Sequence, residues 1–559
     1  MKSLALRCTL LLISLVWIGG GGANAQTLDA PALARIAVTD AALPNLPVYA
    51  QLRDAAGNDY VLVIASLARL QAVNMAYRVL DTNAVAAEYL LARERRPGAR
   101  AAAAQHVTIL HDDGKQIVAR ATPAQADALS ALGLALQRLD APLIVRPPTQ
   151  RIAATSATAI PDPTIATMIA QVQSSTATDY VRRLSGETPV TIGGAPYTIA
   201  TRHTTTSGGV PSQYATQYVS EFLQARGLSV SYHNWNACGI SGRNVIGQKT
   251  GAQVPNEIVL VVAHLDDMPS GALAPGADDN ASGSVGVMLA AEILTPYAFR
   301  RTLRFVFFTG EEQGLCGSAA YASAVAGAGE NIVAVYNMDM IAWDNTNGPT
   351  LRLHTRVTSH PSYAADLAIA NLFVSVVNNY GLSGALSPII AADSESYSDH
   401  ASFWNRGYAA ILAIEDDWND FNAYYHSTND RVAAINATYF TNYLKASIGT
   451  AAHLADYAAG TGTVQGSATD TATTLPLADA TVQANVGSIL IASGRTNGSG
   501  AYALTLPVGT YNLTAAAPRY VFQTLSSVTV ISGTTVTRNF ALPPASAILF
   551  VPRVAKFGN

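Results

Sequence analysis

The sequence predicts an α/β fold for the middle of the chain, with a mainly parallel, mixed sheet flanked by helices. Two observations support this prediction. Apolar, β-branched runs alternate with helical segments between residues 164 and 459, and polar residues directly follow several of these runs. In such sheets, ligands bind beyond the carboxyl ends of the strands. The predicted strands are 257–263, 304–309, 332–337 and 409–414, and the predicted helices are 211–226 and 280–294.

Segments of different composition flank this middle part. Residues 26–145 contain strand-like runs and an Ala- and Leu-rich helix over 123–139, for which Thr122 is a suitable cap, so they predict a small α/β unit. A linker rich in Pro, Ala, Thr and Ser follows over 146–163. Residues 463–543 have few charges and short alternating runs separated by turns, which predicts a small β-sandwich.

The N-terminus has the pattern of a secretory signal peptide. Lys2 and Arg7 accompany an apolar segment over 10–18, which is too short to span a bilayer, and small residues ending at Ala25 supply a cleavage site. Residues 1–25 therefore predict export to the extracellular space or the periplasm without a membrane anchor; a buried N-terminal helix is the alternative. A unit placed between a signal peptide and a linker suggests a pro-region that assists folding or masks the site, and a permanent accessory domain is the alternative.

The bulk composition is that of a globular chain with several domains. The chain has 559 residues, of which 49% are hydrophobic and 13% charged, and this length is too great for one ordinary core. A net charge of −4 without a basic stripe gives no reason to expect a nucleic-acid partner. After the predicted cleavage, only Cys238 and Cys316 remain; they can form one disulfide, or stay two separate buried thiols. The tail, residues 544–559, carries no recognisable pattern.

Five potential metal ligands and one potential base are distributed along the middle part. Imidazole and carboxylate groups suit zinc at an open, catalytic site. The predicted ligands of a two-zinc centre are His264, Asp279, Glu312, Asp339 and His426. Glu311 is predicted to be the base that activates a metal-bound water, because adjacent side chains project in different directions and only one of the two glutamates binds metal.

The motifs around these residues resemble the secreted di-zinc aminopeptidases, such as the bacterial leucyl aminopeptidases, in the clan that also holds glutamate carboxypeptidase and the transferrin receptor ectodomain. The resemblance covers about 178–457 and implies the zinc exopeptidase fold. The matching motifs are Ala263–Asp266, Pro275–Gly283, Gly310–Ser318, Asn337–Met340, Ser398–His400 and His426–Asp430.

The resemblance also implies how the ligands divide between two Zn²⁺ ions. It assigns His264 and Asp339 to one ion, Glu312 and His426 to the other, and Asp279 to a bridging position between them. It further implies a cis peptide bond between Asp279 and Asn280.

Two residues near the ligands receive a supporting role by the same resemblance. Asp266 is expected to orient the ring of His264, as metal-bound imidazoles commonly require. Some relatives place a tyrosine, which helps to hold the oxyanion, four residues before the Asp of the Ser-Asp-His motif. That position is Glu395 here, so Tyr397 is the candidate donor, and an ordinary packed tyrosine is the alternative.

Other polar residues receive a structural interpretation. The acidic residues 415–417 and Asp420 are predicted to form a solvated loop, with calcium or the substrate ammonium group as alternative ligands. His203 and His354 have no partner that the sequence identifies, and His400 is interpreted as structural rather than as a support for the metal ligands.

The function that the resemblance implies is removal of the first residue, bulky and apolar, from a peptide substrate. A hydroxide that bridges the two ions would attack, with Glu311 as general base. Carboxypeptidase or dipeptidase activity on the same fold is the main alternative. A single-zinc glutaminyl cyclase and a degenerate receptor-like module are further alternatives, against which the complete ligand set argues. Residues 463–543 resemble carboxypeptidase regulatory-like domains, for which a surface or another protein is a candidate partner.

Overall fold

The computed structural model describes residues 30–38, 45–73, 75–85, 88–139, 141–143, 159–346, 348–457, 460–487, 489–531 and 533–545. The predicted signal peptide, residues 146–158 of the predicted linker and most of the tail lie outside the described residues. Within the described ranges, no helix is both long enough and apolar enough to cross a membrane.

In its described residues, the N-terminal unit (30–143) contains two four-stranded antiparallel sheets and three short α-helices. The first sheet has the order β2-β3-β1-β4, with strands β1 (Pro31–Ala37), β2 (Val48–Arg53), β3 (Asp59–Ser66) and β4 (Tyr77–Asp81). The second has the order β6-β7-β5-β8, with strands β5 (Tyr89–Glu94), β6 (Thr108–Asp112), β7 (Gln116–Arg120) and β8 (Leu134–Arg138). The helices are α1 (Leu67–Ala72), α2 (Ala99–Ala103) and α3 (Pro123–Ala131).

Helix α3 is shorter than the predicted helix over 123–139. It begins as predicted, because the Thr122 hydroxyl accepts a hydrogen bond from the backbone N–H of Gln125, whose side chain bonds back to the backbone of Thr122. It ends before Gly133, which has φ +94° in the left-handed region. The second half of the prediction was wrong because residues 134–138 pair with β5, a partner that the local pattern does not reveal.

An eight-stranded mixed sheet forms the centre of the peptidase-like part, residues 159–457. Its order is β11-β12-β14-β13-β15-β18-β16-β17, and the four central strands β14, β13, β15 and β18 are parallel. A separate hairpin contains β9 (Val190–Ile192) and β10 (Ala195–Tyr197). The sheet strands are β11 (Ser229–Ala237), β12 (Ile240–Lys249), β13 (Val254–His264), β14 (Arg301–Phe308), β15 (Ile332–Met338), β16 (Thr350–Thr355), β17 (Ser387–Ala392) and β18 (Ala410–Glu415).

Helices cover both faces of this sheet. They are α4 (Pro163–Ala170), α5 (Ser174–Leu184), α6 (Val210–Gln224), α7 (Gly283–Leu294), α8 (Cys316–Gly327), α9 (Tyr363–Asn379), α10 (His400–Trp404) and α11 (Ala437–Leu454). In β13, Val259 and Val261 enter the larger core, which contains α7 and α11, whereas Leu260 and Val262 enter the smaller core with α8 and α10. Burial on both faces explains why this strand is a continuous apolar run.

Helix α7 begins three residues later than predicted, at Gly283, because Asp279 and Asn280 have non-helical backbone angles. The peptide bond between these two residues is cis, as expected. Gly283 packs tightly: a Cβ atom there would lie 2.3 Å from the Met338 carbonyl oxygen, whereas a Cβ at Gly327 in α8 would meet nothing within 4 Å. The start of α7 is therefore fixed against the end of β15.

A disulfide joins Cys238 and Cys316, with an S–S distance of 2.07 Å. Cys238 lies in the turn between β11 and β12, and Cys316 is the first residue of α8. The predicted pairing is confirmed, and it ties this turn to the segment that follows Glu311 and Glu312.

The C-terminal part is a β-sandwich, as predicted. One sheet has the order β22-β19-β25, with β26 also paired to β19, and the other has the order β21-β20-β23-β24. Its core is separate and includes Val464, Val482, Tyr502 and Leu513. The strands are β19 (Thr461–Asp470), β20 (Thr481–Val486), β21 (Ile489–Arg495), β22 (Ala501–Pro507), β23 (Gly509–Ala516), β24 (Gln523–Val530), β25 (Thr535–Thr537) and β26 (Phe540–Leu542).

Candidate metal centre

The parallel strands deliver the candidate ligands to one edge of the sheet. His264 is the last residue of β13, and Asp339 directly follows β15. Glu311 and Glu312 lie three and four residues after Phe308, the last residue of β14. These four side chains are all buried. Asp279 joins them from the loop before α7, and His426 from the segment between β18 and α11.

The five predicted ligands converge in two groups that share Asp279. His264 Nε2 lies 3.1 Å from Asp339 Oδ1 and 3.4 Å from Asp279 Oδ1. His426 Nε2 lies 2.8 Å from Glu312 Oε2 and 3.2 Å from Asp279 Oδ2. In each group the ligand atoms lie within 4.8 Å of one another. The two oxygens of Asp279 thus face different groups, which is the arrangement that a bridging carboxylate requires.

The chemistry of these side chains fits a pair of divalent cations. Glu312 Oε1 is buried and has no hydrogen-bond partner among the described residues. An unpaired carboxylate oxygen in a buried position is costly, and a cation would remove that cost. Imidazole nitrogens combined with carboxylate oxygens form a donor set that suits zinc.

The ionisation of the ligands shows how strongly the cluster attracts positive charge. Burial raises the pKa of Glu312 to about 7, and the negative charge of Asp279 adds to this effect. Burial opposes the charge on His426, but Glu312 and Asp279 outweigh it and raise the pKa of the ring to about 10. The buried carboxylates of this cluster therefore favour a positive charge at this position, which divalent cations would supply.

Glu311 stands beside the ligands with the properties of a proton acceptor. A carboxylate oxygen of Glu311 belongs to a compact group with ligand atoms of His264 and Glu312. Burial raises the pKa of Glu311 well above its usual value, although His264 opposes this effect, and Glu312 raises the pKa further. A carboxylate with a raised pKa can both accept and return a proton near neutral pH.

Asp266 contacts His264 differently from the expectation. The ring Nδ1 of His264 lies 3.2 Å from the Asp266 backbone carbonyl and 3.8 Å from the Asp266 carboxylate. The carboxylate instead accepts hydrogen bonds from the backbone N–H groups of Glu311 and Glu312, both at 3.3 Å. Asp266 therefore fixes the segment that carries Glu311 and Glu312 as well as the ring of His264.

Asp430 holds the backbone of the loop that carries Asp279. Its side chain accepts hydrogen bonds from the backbone N–H groups of Asp278, at 3.1 Å, and of Asp279, at 2.9 Å. The buried Arg202 holds the same loop through the backbone carbonyls of Pro275 and Gly276. Asp430 lies in the His-Ser-Thr-Asn-Asp motif, so its position there was the available signal.

The structure directs the hydroxyl of Tyr397 to the N-terminal unit. This hydroxyl donates a hydrogen bond of 3.0 Å to Gln116 Oε1, while the tyrosine also lines the small cavity that contains the ligands. Burial raises the pKa of the phenol. Glu395, which occupies the position of the tyrosine of some relatives, forms ion pairs with Arg93 and Arg95. A role of Tyr397 in holding an oxyanion stays a prediction.

The acidic segment around Asp416 and Asp417 is not a solvated loop, so that expectation was wrong. Asp416 accepts a 2.8 Å hydrogen bond from Arg352, and Asp417 pairs with Arg95 and, at 3.1 Å, with His354. Burial opposes the charge on His354, but Asp393 and Asp417 raise the pKa of its ring to about 9. These partners are distant in sequence, which is why the local pattern suggested exposure.

The N-terminal unit covers the candidate metal centre. The backbone carbonyl of Ser130 lies 2.5 Å from His426 Nδ1, and the backbone N–H of Arg138 donates to the Gly314 carbonyl at 3.2 Å. Arg95 and Ala135 help to line the cavity beside the ligands, which has a volume of only about 20 Å³. That is room for about one water molecule. The contact between Ser130 and His426 joins residues 296 positions apart, and no sequence signal identified it.

The mixed sheet and the converging ligands define an α/β domain with the zinc exopeptidase fold. Residues 244–450 match peptidase family M28, and residues 463–543 match the carboxypeptidase regulatory-like domain. The chain therefore contains an M28 peptidase domain followed by a carboxypeptidase regulatory-like domain, which agrees with both resemblances seen in the sequence.

Curated relatives and a solved structure share the peptidase part. A probable leucine aminopeptidase of Trichophyton verrucosum (strain HKI 0517) is 30% identical over 217 residues, which cover 37% of this chain and 55% of the relative. A probable leucine aminopeptidase of Arthroderma benhamiae (strain ATCC MYA-4681 / CBS 112371) is 31% identical over 202 residues, which cover 34% and 52%. The chain thus spans about half the length of the curated relatives it matches. The crystal structure of the LapA aminopeptidase of Legionella pneumophila matches 66% of this chain and 98% of its own, with a TM-score of 0.51 and 18% identity, and shows a shared fold.

Proposed function

We propose that this protein is an exported zinc aminopeptidase that uses two metal ions and removes a bulky, apolar first residue from peptides. The observation that carries the proposal is the convergence of two ligand groups on Asp279, with Glu311 beside them. The names of the two curated relatives, probable leucine aminopeptidases, favour the same activity and the same kind of first residue.

The proposed mechanism assigns a separate task to each of the two adjacent glutamates. Bound zinc ions would polarise the scissile carbonyl and lower the pKa of a water molecule. Glu311 accepts the proton of the attacking water and passes it to the leaving amine, for which its raised pKa is suited. The ions would be held by Glu312, His264, Asp339, Asp279 and His426. The Asp266 carboxylate keeps Glu311 in place by accepting a hydrogen bond from the backbone N–H of Glu311.

Apolar side chains beside the ligands support the preference for a bulky apolar residue. Met340, Ile414, Phe421 and Tyr425 line the cavity that contains the ligands, and all four belong to one small apolar cluster. An apolar side chain that enters this cluster would be removed from water, which favours binding by about 25 cal/mol per Å² of buried area.

The alternative of carboxypeptidase activity needs a positive group that receives the terminal carboxylate. The positive side chain that lines the described cavity is Arg95, and it is already paired with Glu395 and Asp417. It also belongs to the N-terminal unit rather than to the peptidase domain. Aminopeptidase activity is therefore the better supported of the two.

A comparison of two peptides tests the proposal. A leucine-initiated peptide with a free amino end should be cleaved, and the same peptide with an acetylated end should not. Removal of metal should abolish cleavage, and added zinc should restore it. Equal cleavage of both peptides would reject the aminopeptidase assignment but leave the metal centre intact as an explanation of the activity.

We further propose that the N-terminal unit masks the site in the intact chain and is released after cleavage in the linker. Support comes from the cavity of about 20 Å³, which has no room for a peptide, and from the ion pairs of Arg95 with Glu395 and Asp417.

The sandwich is proposed to bind a surface or another protein, for which the exposed Val521 and Phe522 are candidate contacts. Phe522→Ser should then weaken retention of the full chain on its target surface without changing peptide cleavage.

A further inference from the structure

The two ring nitrogens of His426 face different parts of the molecule. Nε2 points towards Glu312 and Asp279, on the side of the candidate metal site. Nδ1 points towards the N-terminal unit, where it lies 2.5 Å from the Ser130 backbone carbonyl and 3.2 Å from the Ser130 hydroxyl. A ring that binds metal through Nε2 therefore donates its Nδ1–H to a carbonyl of the masking unit.

The other imidazole ligand is supported quite differently. His264 ends a central strand, and its Nδ1 faces the carbonyl of Asp266, only two residues further along the same segment. For His426, Ser130 supplies the hydrogen-bond partners of Nδ1 found among the described residues, and it is 296 positions away. One ligand is thus supported within the peptidase domain, and the other from outside it.

His426 has little other support from regular structure. It lies between β18 and α11 rather than in a helix or strand, and its φ of +54° is in the left-handed region, which is unfavourable for a residue with a Cβ. The neighbouring ring of Tyr425 stacks on it at 3.6 Å between centroids, which restrains the plane of the ring but provides no acceptor for Nδ1. The direction of Nε2 thus depends on the contact with Ser130.

Helix α3 is docked so that Ser130 is held at this position. Asp127, which precedes Ser130 by about one helical turn, accepts a 3.2 Å hydrogen bond from the Thr205 hydroxyl and lies 3.5 Å from His203 Nε2. The first residue of the helix, Pro123, packs against Gly239 in the turn tied down by the disulfide. Both ends of α3 thus contact the peptidase domain.

We propose that α3 is a positioning element for the metal site formed by Glu312 and His426, in addition to its place in the mask. The Ser130 carbonyl fixes the tautomer and direction of the His426 ring. Undocking of α3 then weakens this site while the site formed by His264 and Asp339 keeps its affinity. Loss of such an outer hydrogen-bond partner typically lowers metal affinity by about 10–100-fold. The inference rests on the proposed two-metal centre.

The test compares two charge reversals in the N-terminal unit. Asp127→Arg places a positive group against His203 and should undock α3, whereas Asp112→Arg reverses a charge on an exposed residue that pairs with Arg100 inside the same unit. Competition with a chromogenic chelator measures the two zinc affinities of the full-length protein, and amide hydrogen exchange over 123–138 reports docking. Arg95→Ala removes a different contact between the N-terminal unit and the peptidase domain. Two independent substitutions therefore test the effect of undocking.

We expect the undocked variants to release one of two zinc ions to the chelator about 10–100-fold more readily, while the Asp112→Arg control retains both. The Co²⁺-substituted protein should show a changed absorption spectrum for one site only.

Two results would overturn the inference: unchanged affinity of both sites in a variant shown to be undocked, or equal weakening of both sites. Failure of the proposed function looks different, because the unaltered protein would then bind no zinc or would bind zinc without cleaving peptides with a free amino end.

Discussion

Replacement of Arg95 by alanine should activate the intact chain. The Arg95 side chain is 7% exposed and pairs with the fully buried carboxylates of Asp417 and Glu395, across the boundary between the N-terminal unit and the peptidase domain. Removing one partner of a buried pair costs about 3–5 kcal/mol, because the remaining charge stays buried and unpaired. When the N-terminal unit undocks, both carboxylates reach water. The replacement of Arg95 therefore destabilises the masked state and leaves the open state unchanged.

The lower end of this range is the upper limit here, because Asp417 keeps its contact with His354 and Glu395 keeps its ion pair with Arg93. A shift of about 3 kcal/mol changes the ratio of masked to open molecules by about 100-fold. We therefore expect uncleaved Arg95→Ala to hydrolyse leucine 4-nitroanilide up to about 100-fold faster than the unaltered chain. The rates are measured at saturating zinc, and the intact mass is checked before and after the assay.

Arg100→Ala is the matched control for this experiment. Arg100 pairs with Asp112 on the surface of the same unit, and an exposed ion pair contributes only about 0–1 kcal/mol. Its activity should stay at the level of the unaltered chain. The reasoning is refuted if Arg95→Ala, still folded and loaded with zinc, shows neither higher activity nor faster proteolysis of the N-terminal unit.

Three other predictions concern the base, the packing of a helix and the dependence of stability on pH. Glu311→Gln should lower kcat by about 10²–10⁴-fold with an unchanged zinc content, because an amide cannot accept the proton; steady-state kinetics and metal analysis check this. Gly283→Ala should lower the free energy of unfolding by about 1–3 kcal/mol through the clash at the start of α7, whereas Gly327→Ala should be neutral or slightly stabilising in the same denaturant titration. The protonated ring of His354, beside Asp393 and Asp417, stabilises the folded state. This contribution is complete below pH 6.5, the pKa of histidine in the unfolded chain, and is lost as the pH rises through about 9, the pKa in the folded state. Denaturant titrations across that range should show a decline that His354→Gln lacks.

The sequence predicted the central features of the peptidase part because the chemistry there is local. His264 ends a strand, Asp339 and the two adjacent glutamates follow strands, and the carboxyl ends of parallel strands meet at one edge of the sheet. Knowing the strands was therefore enough to expect that these side chains converge. The disulfide could be predicted because only two cysteines follow the predicted signal peptide, which leaves one possible pairing.

Predictions failed where a partner distant in sequence decided the outcome. Residues 134–138 are strand rather than helix because β5 lies beside them, and Asp417 is buried because Arg95 and His354 neutralise it. Periodicity and composition describe a segment and its own solvent exposure, and they carry no information about which distant segment covers it.

The sequence by itself determined the ligand types, their order and their positions after the strands, and hence a zinc site on an α/β sheet. Only the tertiary structure decided that the N-terminal unit lies over this site, with the Ser130 carbonyl on His426 and Arg95 between two carboxylates. The physical reason is that ligand chemistry belongs to single side chains, whereas docking depends on the complementarity of two complete surfaces, which exist only after each part has folded.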